Sequence, residues 1–150
     1  MEGRLTNLTQ MPRAKTVMTP FPWSVAAQDS LGRAIEMMQE HGIRHLPVEE
    51  DGVLVGVVSD RDIKNLLSIT AGHMGRQDLK ICDALARDPY VVDISTPLDE
   101  VVLEMADRHI GSALVTKQGK LVGIFTVTDA CRSFGEFLRS LFPHRTGGAA

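Results

Sequence analysis

The chain has 150 residues, of which 43% are hydrophobic and 23% charged, and its formal net charge is −3 at pH 7. This balance is typical of a soluble globular protein. It provides no basic surface for nucleic acid, and no apolar run approaches the roughly 18–20 residues that cross a bilayer. With no signal-peptide core at its start, and with Cys82 and Cys131 lacking metal-type spacing, the chain is predicted to be cytoplasmic and its cysteines reduced.

The beginning of the chain predicts an extended, kinked lead-in. Residues 1–13 are polar and predict a loose arm. Pro20 and Pro22 exclude a helix interior and a central strand, so residues 17–25 are predicted to run extended and to end in a short strand at 24–26.

A helix is predicted next. Asp29 or Ser30 supplies its N-cap, and Gly42 is placed to end it in a left-handed conformation. Its apolar residues recur at i, i+3, i+4 and i+7, the spacing of an amphipathic helix: Leu31, Ala34, Ile35 and Met38.

Two strands and a second helix complete this half. Strands are predicted at 43–48 and 53–58, joined by an acidic turn with a glycine at 49–52. The second helix begins within 59–62 and ends near Ile69, and the glycine-containing stretch 70–80 predicts a linker.

The second half predicts the same order of elements. Thr96 is the expected cap of a helix with Pro97 in its first turn. The other predicted elements are a kinked lead-in at 88–92, strands at 112–116 and 121–125, a turn at 118–119, a last helix that begins near 128 and stops before Pro143, and a flexible tail at 142–150.

The two halves are copies of one unit. The stretch from Leu54 to Asp62 recurs from Leu121 to Asp129, 67 positions later, and residues 14–62 match 81–129 at this offset without a gap. An internal repeat of this kind defines the architecture. Each half alone would be marginally stable, which predicts a shared core.

The doubled motif G-h-h-[S/T]-x-x-D, where h is apolar, closes each β-α-β-β-α unit and resembles the CBS (cystathionine β-synthase) domain pair, or Bateman module. The segment Val17-Met18-Thr19 and the strand 43–48 fit the same family in register. The resemblance predicts an α+β fold of tandem repeats packed about a pseudo-two-fold axis, with repeat 1 at 14–69 and repeat 2 at 81–141.

The resemblance also implies a ligand. CBS pairs bind adenosine-type molecules (AMP, ADP, ATP or S-adenosylmethionine, with or without Mg²⁺) in two clefts. An aspartate in the first turn of a helix is stabilised by the helix dipole and can accept hydrogen bonds from both ribose hydroxyls. Free amides at the same helix start attract phosphate.

Carried over residue by residue, the resemblance assigns two unequal sets of ligand-binding residues. The first combines Thr126, Thr128 and Asp129 with Thr19 and Ser24. The second combines Ser59, Arg61 and Asp62 with Ala86 and Val91, with Arg44 and His45 as further phosphate contacts. Either one site is occupied, or the two differ in affinity.

Plainer interpretations stay open for several of these residues. Asp62 and Asp129 can be helix-start acids, Ser59 and Thr126 plain caps, and Arg44 and Arg61 solvent-exposed side chains. His41 and His45 have metal-type spacing, but the intervening Gly42 ends the helix and disfavours a metal site. Trp23 is interpreted as packing or interface rather than base stacking.

Three function classes follow. The favoured one is a sensor of adenine nucleotides, and so of cellular energy state, that acts in trans on an unidentified partner protein, as a homodimer joined by Phe134, Phe137 and Leu141. The alternative is a ligand-free interaction or dimerisation module. An enzyme is disfavoured, because the sequence shows no nucleophile elbow, metal-ligand cluster or P-loop.

Overall fold

The computed structural model describes residues 9–70, 75 and 77–144. They form two compact units. The Asp62 unit contains the described residues of Phe21–Tyr90 together with Gly119–Leu121, and the Asp129 unit contains those up to Pro20, Val91–Gln118 and those from Val122 onward. In chain order the elements are α1 (Ala14–Val17), β1 (Thr19–Pro20), β2 (Val25–Ala26), α2 (Leu31–His41), β3 (His45–Glu50), β4 (Val53–Ser59), α3 (Asp60–Ile69), α4 (Ile81–Ala84), β5 (Val91–Asp93), α5 (Leu98–Asp107), β6 (Ser112–Lys117), β7 (Lys120–Thr126) and α6 (Val127–Leu141).

The Asp62 unit holds a three-stranded sheet of order β2-β3-β4, in which β2 is parallel and β4 antiparallel to β3. The predicted helix signals are confirmed: the Ser30 side chain accepts from Arg33 N at 3.2 Å, and Gly42 ends α2 with φ 62°. Asp51 and Gly52 form the predicted turn with φ of 50° and 77°, a conformation that glycine and aspartate tolerate. The core of this unit includes Leu31, Leu46, Val48, Val58 and Ile81, all fully buried.

The Asp129 unit holds a four-stranded sheet of order β1-β7-β6-β5, whose core includes the fully buried Phe125 and Leu114. The predicted Thr96 cap is wrong by one position. Pro97 is the N-cap of α5 and makes no side-chain cap bond. The N-terminal segment provides an acceptor for the first amide of this helix instead: Leu98 N donates to Pro12 O at 2.8 Å.

Each unit contains the lead-in of the other repeat. In the Asp129 unit, Ala14 N donates to Thr96 O at 2.9 Å, and β1 pairs with β7. In the Asp62 unit the residue 67 positions later, Ile81, donates from N to Asp29 O at 3.0 Å, and Ala86 pairs with Val57. The part of the predicted loose arm from Pro12 onward is therefore hydrogen-bonded within the Asp129 unit.

Two short helices were not predicted. The helices α1 and α4 are four residues each and begin the two lead-ins. A segment of this length shows no helical periodicity in sequence, so only the tertiary hydrogen bonds around it reveal its conformation.

Candidate functional site

The Asp62 site lies where β4 ends and α3 begins. The Ser59 Oγ accepts from Asp62 N at 3.1 Å, and Asp62 Oδ2 accepts from Ser59 N at 3.0 Å and from Ser59 Oγ at 2.6 Å. This reciprocal arrangement is a capping box. The prediction that these two residues cap the helix is therefore confirmed. The Asp62 carboxylate keeps acceptor positions for a ligand as well, because a carboxylate has about four of them.

Three basic residues, Arg44, His45 and Arg61, lie close to the start of α3. His45 opens β3 directly opposite Ser59, and the neighbouring Arg44 O accepts from Asp60 N at 2.9 Å. Burial lowers the pKa of His45 below its usual 6.5, the charges of Arg44 and Arg61 lower it further, and those of Asp62 and Asp60 oppose the shift. The lowered pKa favours the neutral imidazole at pH 7, so the positive charge near it comes from Arg44 and Arg61.

The Asp129 site repeats the capping box at the start of α6. Asp129 Oδ2 accepts from Thr126 N at 2.8 Å and from Thr126 Oγ1 at 2.9 Å, and Thr126 Oγ1 accepts from Asp129 N at 3.3 Å. The other carboxylate oxygen, Oδ1, lies 3.6 Å from Arg132 Nη1. Sequence reasoning missed this partner, although an i, i+3 acid–base pair on a helix is a recognisable signal.

The three positions that are basic around Asp62 are uncharged around Asp129. Gly111 and Ser112 stand at the positions of Arg44 and His45, and Thr128 at that of Arg61. Val127 N donates to Gly111 O at 3.0 Å, the same backbone contact as in the Asp62 site. The two sites therefore share a backbone and a capping box and differ in charge.

The motif glycine of each repeat is explained by its neighbour. A Cβ on Gly56 would overlap Ala86 O and the Leu85 side chain, and a Cβ on Gly123 would overlap the Met18 side chain. The lead-ins thus pass directly over the strands that end at Ser59 and Thr126. Glycine is needed there because no side chain fits between the strand and the lead-in.

The remaining predicted contacts divide between the units. Thr19 pairs with Ile124, two residues before Thr126, and Thr128 is exposed in the first turn of α6, so both share a unit with Asp129. Ala86 pairs with Val57, two residues before Ser59, in the Asp62 unit. Ser24 and Val91 each belong to the other unit than the carboxylate they were predicted to accompany.

Trp23 stacks on the His41 ring, with ring centroids 4.1 Å apart and planes 8° from parallel, as the packing interpretation predicts. Within residues 9–70, 75 and 77–144, no three His, Cys, Asp or Glu side chains are grouped to hold a metal ion. No helix in the same residues is both long and apolar enough to cross a membrane.

Comparison with known proteins identifies the family. The CBS domain family model matches residues 14–69 and 81–136, so the chain belongs to the CBS domain family and carries two copies. CBS pairs are regulatory modules. The predicted family and the predicted α+β CBS-pair fold are both confirmed.

The relatives include two bacterial proteins and one solved structure. Bacillus subtilis YlbB is 35% identical over 79% of this chain and 80% of its own length. Hypoxic response protein 1 of Mycobacterium tuberculosis is 29% identical over 84% of this chain and 87% of its own. The CBS domain pair of MJ0100, solved in complex with 5′-methylthioadenosine and S-adenosylmethionine, is 26% identical, with a TM-score of 0.73 over 84% of this chain and 98% of its own.

Proposed function

We propose that this protein is a regulatory module that binds adenosine-type ligands at its Asp62 and Asp129 sites and acts in trans on a partner protein. The observation that carries the proposal is the doubled capping box, which holds a half-buried carboxylate at the start of α3 and again at the start of α6. The MJ0100 pair, which was solved with adenosyl ligands, supports the ligand class.

The capping box prepares each carboxylate for a sugar hydroxyl. Two hydrogen bonds from Ser59 or Thr126 fix Oδ2, so little orientational freedom is lost when a ligand binds. In the described part of the chain, Oδ1 of Asp62 has no hydrogen bond or ion pair, whereas Oδ1 of Asp129 faces Arg132 at 3.6 Å. Both oxygens remain acceptors for a ribose diol.

The charges assign different ligands to the two sites. Arg44 and Arg61 give the Asp62 site two cations with the geometry that phosphate prefers, so it is proposed to take AMP, ADP or ATP, with Mg²⁺ accompanying the polyphosphates. At the Asp129 site Gly111 and Ser112 replace the basic residues Arg44 and His45, and the one neighbouring guanidinium, that of Arg132, faces Asp129 itself. That site is proposed to take a ligand without phosphate, such as S-adenosylmethionine or 5′-methylthioadenosine.

The module is proposed to be a cytoplasmic homodimer that has no catalytic activity of its own. The helix α6 presents Phe134, Leu138 and Leu141 with 61%, 39% and 55% of their surface exposed, and their i, i+4, i+7 spacing forms one apolar stripe. Phe137 is half-buried and lines a cavity together with Val102, Phe125 and Phe134. We therefore propose Leu138, in place of Phe137, as the third dimer contact beside Phe134 and Leu141.

Thermal unfolding of the full chain with a ligand panel tests the proposal. A ligand at about 100 times its dissociation constant adds roughly 2.7 kcal/mol, a shift on the order of 5 °C for a chain of this size. We expect shifts with ADP and S-adenosylmethionine but not with GTP. Asp62→Asn should remove the first shift and Asp129→Asn the second, while Asp99→Asn, a first-turn acid of α5 outside the motif, should change neither.

The alternative function predicts a different outcome. A ligand-free interaction module would show no shift with any adenosine compound in a protein that melts cooperatively. That result would favour the interaction module, and the apolar stripe of α6 would then be the first surface to test for a partner.

A further inference from the structure

One cavity in the Asp129 unit is strongly basic. It has a volume of about 600 Å³ and is lined by Arg13, Lys15, Ile94, Ser95 and Lys117. Three of these five residues are cations and none is acidic, in a protein whose formal net charge is −3. We call Arg13, Lys15 and Lys117 the basic cradle.

Backbone contacts bring the three cations together. Lys15 N donates to Ile94 O at 3.2 Å, and Arg13 Nη1 donates to Ser95 O at 3.1 Å. Ile94 N in turn donates to Thr116 O at 2.8 Å, which places Lys117 beside the same turn. The cradle is therefore built by three chain segments that are far apart in sequence.

Among the described residues, no neighbouring carboxylate neutralises the cradle. The acid nearest in sequence to the turn is Asp93, whose Oδ1 accepts from Ser95 N at 2.9 Å and from Ser95 Oγ at 2.5 Å. These hydrogen bonds lower the pKa of Asp93, and none of the three cations contributes to the shift. Within the described residues, no ion pair joins Arg13, Lys15 or Lys117 to an acid.

The other repeat shows that the fold does not require this charge. The residues 67 positions away from the cradle are Lys80, Cys82 and Glu50. There the single lysine donates from Nζ to Gln28 Oε1 at 2.9 Å, and Gln28 Nε2 approaches Cys82 Sγ at 4.0 Å. The same backbone thus carries one hydrogen-bonded cation and one acid in the Asp62 unit, but three cations in the Asp129 unit.

The cradle is also distinct from the Asp129 site. Lys117 ends β6, whereas Ser112, at its beginning, follows Gly111, the residue that contacts the start of α6. Five steps along a strand span roughly 16 Å. A ligand bound through Asp129 and one bound in the cradle would therefore occupy opposite ends of the sheet.

We infer that the basic cradle binds a small ligand through a diphosphate group, independently of the adenosyl sites. The volume lies within the range of about 300–1,000 Å³ that is usual for small-molecule sites. Arg13 keeps further N–H donors beyond the one given to Ser95 O, and a guanidinium with two ammonium groups matches the charge and oxygen geometry of a diphosphate.

Calorimetric titration of the full chain with pyrophosphate tests this site. We expect Lys15→Gln and Lys117→Gln each to weaken binding by about tenfold, as expected when one charge-assisted contact is lost. Lys120→Gln removes the same charge from an exposed position at the start of β7 that does not line the cavity and should leave binding unchanged. Unchanged melting temperatures of the variants would show that folding is intact.

The controls separate this site from the proposed function. The double variant Asp62→Asn, Asp129→Asn should bind pyrophosphate as the wild type does. Titrating ADP into this double variant shows whether the cradle binds a nucleotide or only a free diphosphate. The inference is wrong if the wild type does not bind pyrophosphate, if sulfate binds equally well, or if the double variant loses binding while Lys15→Gln and Lys117→Gln retain it.

Discussion

The Asp62 and Asp129 sites show how one backbone carries two electrostatic environments. Each has a capping box in which the carboxylate accepts from the backbone and hydroxyl of the preceding Ser or Thr. Around Asp62 the chain places Arg44, His45 and Arg61, and the second oxygen is unpaired within the described residues. Around Asp129 these positions are uncharged and the second oxygen faces Arg132. The repeat fixes the shape of the site, and a few substitutions change its charge.

The largest expected effect distinguishes the two motif glycines. At Gly56 an added Cβ meets the backbone carbonyl of Ala86, which cannot move without shifting the chain, whereas at Gly123 it meets the flexible side chain of Met18. Gly56→Ala should lower the free energy of unfolding by about 3 kcal/mol and Gly123→Ala by about 1 kcal/mol. Urea denaturation measures both, and an equal or reversed order would contradict the packing described for the lead-ins.

The next prediction tests the phosphate preference of the Asp62 site. Arg44→Gln should weaken ADP binding by about tenfold because one charge-assisted contact is lost, while S-adenosylmethionine binding stays as in the wild type. Isothermal titration with both ligands measures this split. Arg33→Gln, an exposed arginine on α2 of the same unit, is the matched control, and equal losses for both ligands in Arg44→Gln would disprove the assignment.

A smaller effect is expected from Arg132. Its guanidinium is 66% exposed and lies 3.6 Å from Asp129 Oδ1, so it competes weakly with a cationic ligand for that oxygen. Arg132→Gln should strengthen S-adenosylmethionine binding by at most about fivefold, in keeping with the roughly 0–1 kcal/mol of an exposed ion pair. Arg139→Gln, further along α6, should have no effect. Weaker binding in Arg132→Gln would mean that Arg132 contacts the ligand itself.

The smallest effect concerns His45 and pH. Burial lowers the pKa of His45 in the folded chain below 6.5, so the unfolded chain takes up a proton first as the pH falls. Its contribution to stability is therefore fully present above pH 6.5 and decreases as the pH falls from there toward the folded pKa. His45→Gln should melt with a shallower pH dependence across this interval. An identical slope in the two proteins would contradict the burial argument.

Local signals in the sequence predicted much of the fold. Ser30, Gly42 and the turn at Asp51 and Gly52 each have a side-chain or backbone preference that acts within a few residues, and the constant offset of 67 revealed the repeat. The exchange of lead-ins leaves no local signal, because it depends on backbone hydrogen bonds such as Ala14 N to Thr96 O. Only the family resemblance implied it, by assigning Thr19 to the Asp129 site and Ala86 to the Asp62 site.

The centres of the two sites were predicted, whereas Arg132 beside Asp129 and the separate basic cradle were not. The doubled motif pointed to Ser59, Asp62, Thr126 and Asp129, which form the two capping boxes. Their ligand-binding role remains a prediction. The basic cradle was not foreseen, because its residues come from segments that meet only in the folded unit.

The central claim is that the Asp62 site binds phosphate-bearing adenosyl ligands and the Asp129 site binds those without phosphate. A competition titration tests this claim most directly. S-adenosylmethionine is titrated calorimetrically into the full chain, alone and with saturating ADP. The account predicts the same dissociation constant in both titrations, with one S-adenosylmethionine per chain, because ADP occupies the Asp62 site and leaves the Asp129 site free. If saturating ADP weakens or abolishes S-adenosylmethionine binding, the two ligands share a site and the account is wrong.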